Sequence, residues 1–151
     1  MVFNRRSAAV VMAIGFAGLG FSLAAQSPSA KNNETFKTRL SALPADARTR
    51  ASLAGTGSVS AVLSGTKLVV TGSFEGLLAA ATTADLHSAV AAGVRGPAIA
   101  DLTISKATSG TIGGSIDLTP QQLTSLHKGG LYVQIQSEKA PDGVLWGWFL
   151  R

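Results

Sequence analysis

Residues 53–74 read LAGTGSVSAVLSGTKLVVTGSF. Up to Ser64, small residues alternate with apolar ones. Gly65-Thr66 then interrupts, and Lys67 to Phe74 resumes with Leu, Val, Val and Thr. Alternation of period two belongs to a strand, whose successive side chains face opposite sides. Two such runs joined by two residues, one of them glycine, predict a β-hairpin. This segment sets the period for the rest of the chain.

Working outward, further short runs of Val, Ile, Leu and Thr lie near 84–87, 98–105, 111–118, 130–136 and 143–150, with an opening run at 36–41. Gly, Ser and Asp separate them. About seven or eight short strands with regular turns predict an all-β fold, a sandwich or a barrel. Ala79 to Ala92 is alanine-rich, but Thr82, Thr83 and Gly93 break it, and a strand followed by a loop is expected. One short helix is expected near 120–128. Thr119 offers a capping hydroxyl, Pro120 sits where its missing N–H costs least, and Gln122 completes a capping box. Leu123 and Leu126 give the helix an apolar face, and Gly129-Gly130 supplies the stop.

The N-terminus reads as an export signal. Met1 to Arg6 is basic, Ser7 to Phe21 is uncharged and apolar or small, and Ser22-Leu23-Ala24-Ala25 suits a signal peptidase. The apolar run, at about 15 residues, is shorter than the roughly 20 that span a bilayer, so removal is expected rather than anchoring. Arg5-Arg6 leaves both the Sec and the twin-arginine routes open. The chain thus divides into a signal peptide at 1–25, a flexible polar leader at 26–33 and a β domain at 34–151, exported to the periplasm or beyond. No later segment is long enough to span a membrane. Asn33-Glu34-Thr35 is a glycosylation sequon, relevant only in a eukaryotic host.

Composition removes several functions. There is no cysteine, so the fold has no disulfides and no thiolate chemistry. The net charge is +5, of which Arg5 and Arg6 leave with the signal. Charged residues make up 14% of the chain and are spread out, whereas nucleic-acid binders carry a dense basic stripe. Nucleic acid is therefore not an expected partner. No G-x-S-x-G elbow exists, Ser109 sits in a Ser-Gly turn, and Gly113-Gly114 opens no helix, so neither serine hydrolysis nor a phosphate loop is indicated.

Several stretches, taken in order, resemble one family. Leu68 to Leu77 (LVVTGSFEGL) resembles the "tVsGtfsGL" strand and turn of the CHRD domain, a module repeated in chordin and found alone in bacterial exported proteins. Ala84-Asp85-Leu86-His87 stands where that family has Ala-His-Ile-His, and Gly96-Pro97 at its next Gly-Pro. Thr119 to Leu123 is similar to its short helix, Leu131 to Gln136 to its "lYvnIH", and Pro141 to Gly147 to its closing "PgGeIrGql". Phe36 to Ser41 fits the opening. The early strands are also similar to those of copper/zinc superoxide dismutase, and this resemblance implies a Greek-key-like antiparallel β-sandwich. Copper dismutation needs several histidines, and this chain has only His87 and His127.

Two sets of residues carry the functional expectations. Asp85 and His87, two apart on a strand, share a side. The resemblance implies histidines at both positions and a third where Gln136 stands. Asp85, His87 and Gln136 would thus form a reduced metal site, weak for a divalent ion, or a hydrogen-bonded cluster. His127, near the helix end, meets the negative end of the helix dipole. At the C-terminus, Val144, Trp146 and Trp148 alternate with Leu145, Gly147 and Phe149. The resemblance implies polar residues at the first three positions. Their replacement predicts an apolar contact patch, or else a row covered by a loop or by the 26–50 segment. The expected function is a secreted, non-enzymatic binding or structural module of the CHRD type, with no cofactor. Its partner would be a protein or a cell-envelope component, and a homo-oligomer is allowed. The alternative is a metal-binding or redox accessory protein using Asp85, His87 and Gln136.

Overall fold

A computed structural model describes residues 32–151. The expected signal peptide and most of the expected leader lie outside these residues. The described chain forms eight antiparallel strands and one helix. In chain order these are β1 (Glu34–Ala42), β2 (Thr56–Ser64), β3 (Lys67–Glu75), β4 (Ala81–Ser88), β5 (Ala98–Ile104), β6 (Gly110–Asp117), α1 (Pro120–His127), β7 (Leu131–Ser137) and β8 (Ala140–Trp148).

The hairpin read from 53–74 is β2–β3, with Ser64 paired to Lys67 across the Gly65-Thr66 turn. Around the sheet the strands run β1-β2-β3-β6-β5-β4-β7-β8 and close. β4, β5 and β6 follow one another, and β6 returns beside β3, which is the Greek-key connection. Two four-stranded halves are joined by two short seams. One seam pairs Thr103 with Gly113 and Ile104 with Ile112. The other pairs Ser41 with Trp146 and Ala42 with Leu145. The expected sandwich is therefore closed at both sides into a barrel, which leaves no bare sheet edge.

The alternation places one apolar row per strand inside. Val59, Ala61 and Leu63 of β2 meet Leu68, Val70 and Phe74 of β3, and on the other half Ala84 and Leu86 meet Val133, Ile135 and Leu145. Each fully buried Val, Leu, Ile or Phe among them stabilises by about 1.5–3 kcal/mol, which is what holds a cysteine-free fold together.

Helix α1 forms as its sequence predicts. The Gln122 N–H donates to Thr119 Oγ1 at 3.3 Å, and the Thr119 N–H donates to Gln122 Oε1 at 2.9 Å. At the other end the Gly130 N–H donates to the Ser125 carbonyl at 2.8 Å and the Gly129 N–H to Leu126 at 3.0 Å. Gly129 has φ +74°, the left-handed conformation this stop requires. β4 begins at Ala81, three residues before the expected start, because Ala81 pairs with Ser137 beyond a register shift.

Candidate functional site

The outer side of the β4–β7–β8 half gathers the residues singled out above. In register, His87 lies beside Tyr132, and Tyr132 beside Trp148. The next row is Asp85, Gln134 and Trp146, and beyond it Thr83 faces Gln136. The inward side chains of the same strands form the core, so period-two alternation alone brings these groups to one side.

Asp85 and Gln136 meet. Gln136 Nε2 donates to Asp85 Oδ2 at 2.8 Å, and Gln136 Oε1 accepts from Thr83 Oγ1 at 2.9 Å. The amide is thus used at both ends. His87 is on the same side, but its ring turns away toward the β4–β5 loop. Its Nδ1 lies 2.9 Å from the Gly96 carbonyl, and the ring stacks on Tyr132 at 4.8 Å and 15°. A carbonyl can only accept, so Nδ1 is the donor in this contact. The ring's Nε2 is enclosed and has no hydrogen-bond partner. Among the described residues no three His, Cys, Asp or Glu side chains are grouped to hold a metal.

The aromatic row continues past Tyr132. Trp148 stacks on Tyr132 at 4.7 Å and 29°, and Trp146 meets Trp148 edge-on at 4.5 Å and 68°. The Arg95 guanidinium sits over the Trp146 ring, 5.5 Å from its centre. Both tryptophans are half-buried. The Trp148 Nε1 is enclosed without an acceptor. Val144 does not join this row. It has no exposed surface and lies in the core with Leu145 and Phe149. Of the three expected contact residues, only the two tryptophans reach the outer side.

The 89–97 loop covers the Tyr132 end of the row. Tyr132, although outward-facing, is 1% exposed. Its hydroxyl donates to the Gly96 carbonyl at 3.2 Å and accepts from the Gly96 N–H at 3.1 Å. Gly96 is tightly fitted here: a Cβ on it would stand 2.0 Å from the Ser88 carbonyl oxygen. Gln134 is also buried, with its Nε2 donating to the Asp142 carbonyl at 3.2 Å. Tyr132, Arg95 and Gln134 are functional neighbours that the sequence reading did not single out. The signal for Tyr132 and Gln134 was present, since both share the parity of Gln136.

His127 is in the last turn of α1, as expected, and its Nε2 lies 3.2 Å from Glu34 Oε2. Arg151 donates to the same carboxylate. Arg151, then His127, hold the Glu34 carboxyl below the ordinary glutamate range.

The family model of the CHRD domain matches residues 29–147. No curated protein matches the chain. No solved structure matches it either, so the likeness of the early strands to superoxide dismutase rests on sequence alone.

Proposed function

Because the chain belongs to the CHRD domain family, we propose that it is an exported, non-enzymatic binding module whose contact face is built on Trp146 and Trp148. The observation that carries this reading is the stacked cluster of Tyr132, Trp146 and Trp148 on the outer side of the barrel, with Arg95 over it. Trp, Tyr and Arg are the residues that dominate binding energy at protein interfaces. Stacking fixes the rings before a partner arrives, which lowers the entropy cost of contact. The partner is a protein or a cell-envelope component. Export agrees with the family and with the N-terminal signal pattern. Among the described residues no helix is long and apolar enough to cross a membrane.

The test is capture from the envelope fraction of the native host by the purified protein and by its Trp146→Arg, Trp148→Gln variant. The reading expects a partner retained by the first and lost with the second. Equal capture by both would overturn it.

A second reading, a metal or redox accessory protein, is favoured by one detail. His87 donates Nδ1–H to a backbone carbonyl, the supporting bond usual for a metal-binding histidine, and its enclosed Nε2 has no hydrogen-bond partner. The other donors fit poorly. Gln136 is bonded at both ends of its amide, and Asp85 already accepts from it. One imidazole and one engaged carboxylate suit only weak binding of a divalent ion.

A further inference from the structure

A cleft of about 300 Å³ opens beside the aromatic row, between the β1–β2 loop, the β4–β5 loop and the β7–β8 turn. Each of these three segments contributes one cation to its lining: Arg48, Arg95 and Lys139. Asp142 is the single carboxylate among the lining residues. Its size is at the lower end of pockets that take small ligands.

These cations lack carboxylate partners. Among the described residues the ion pairs within 4.0 Å all involve Glu34, with His127 and Arg151. Asp46, the acid nearest Arg48 in sequence, is committed to its own turn. It accepts from the backbone N–H groups of Thr49 and Arg48 at 2.8 Å each and from Thr49 Oγ1 at 3.0 Å. Arg95 rests on the Trp146 ring. A cation–π contact of this kind uses none of the guanidinium's N–H groups as hydrogen-bond donors to an acceptor side chain. Three cations against one carboxylate leave the lining of this concave site net positive, which favours an anion.

We propose that this cleft binds a phosphate or sulfate ester group, with Arg48, Arg95 and Lys139 as its ligands. Arginine forks suit a tetrahedral oxyanion, and lysine adds a point charge. The site shares Arg95 with the Trp146 and Trp148 face, whereas Arg48 and Lys139 belong to the cleft alone.

The experiment is a titration of amide NMR shifts in the purified protein with inorganic phosphate, inorganic sulfate, dextran sulfate and neutral dextran. Saturable shifts are expected at 46–52, 93–96 and 138–143 with the three anions and not with neutral dextran. Arg48→Gln with Lys139→Gln should weaken binding about tenfold or more, since charge-assisted bonds are lost. Lys67→Gln with Lys106→Gln removes the same charge away from the cleft and should change affinity less than about twofold. Tighter binding of dextran sulfate than of the free ions would identify a polymer-borne ester as the source. Equal binding would identify a free anion. Absence of saturable shifts, or equal weakening by both double variants, would overturn the proposal. So would undiminished binding by the Arg48, Lys139 variant.

Discussion

The Tyr132 hydroxyl holds both backbone groups of Gly96, donating to its carbonyl and accepting from its N–H. One side chain on β7 thereby fixes the loop that carries Arg95 over Trp146. Tyr132→Phe leaves the Gly96 N–H without this partner in a half-buried site. The expected cost is about 1–3 kcal/mol, read as a lower midpoint in thermal or denaturant unfolding. Amide exchange should quicken in residues 89–97 while the β2–β3 hairpin stays protected. Unchanged exchange in the loop would show that other contacts hold it.

The Asp85–Gln136 pair is predicted to be a structural hydrogen bond. A double-mutant cycle with Asp85→Ala and Gln136→Ala should return a coupling of about 0.5–1.5 kcal/mol in unfolding free energy. Zinc and copper titrations by calorimetry should give the same heats for the wild type and for His87→Ala. A heat that disappears with His87→Ala would instead support the metal reading.

The parts of this molecule that were readable in sequence are those fixed by neighbours along the chain. The β2–β3 hairpin follows from alternation about Gly65-Thr66, and α1 from Thr119, Pro120, Gln122 and Gly129. The common side of Asp85, His87 and Gln136 also follows, because parity carries through the β4–β7 register. What depends on distant segments was hidden. Val144 looked like part of an outer row by simple alternation, yet it is enclosed in the core. The neighbouring β7–β8 register shifts between Ile135 and Ser137, and Leu43 donates its N–H to the Val144 carbonyl. No local pattern announces that Arg95 crosses to Trp146, or that Arg48 and Lys139 line the same cleft. The strand pattern left sandwich and barrel both open, since closure rests on two short seams, one of them between the first and last strands.

Acid should loosen the join between the start of β1 and the C-terminus. Glu34 has its carboxyl lowered chiefly by the hydrogen bond from Arg151, with further help from His127. A depressed carboxyl gives its full stabilisation above the unfolded glutamate range and loses it as pH falls through the lowered folded value. Midpoints of thermal unfolding for the wild type and Glu34→Gln should therefore differ at neutral pH and converge in acid. Added salt should shrink the neutral-pH difference, because the pair is exposed. A gap of the same size at every pH would contradict this account.

Removal of the helix cap tests the best-defined local element. Thr119→Ala deletes the acceptor for the Gln122 N–H, and a loss of about 1 kcal/mol is expected. Thr119→Ser keeps the hydroxyl and should recover most of the midpoint. Equal losses for the two variants would show that the capping hydroxyl is not what matters there.

The contact face itself is reached most directly by hydroxyl-radical footprinting of the protein, free and bound to its native envelope fraction. Oxidation of Trp146 and Trp148 should fall on binding, while the sheet residues Val62 and Val69 on the opposite half keep their reactivity. Retained oxidation of both tryptophans in the bound state, with protection appearing elsewhere on the barrel, would contradict the assignment of this face.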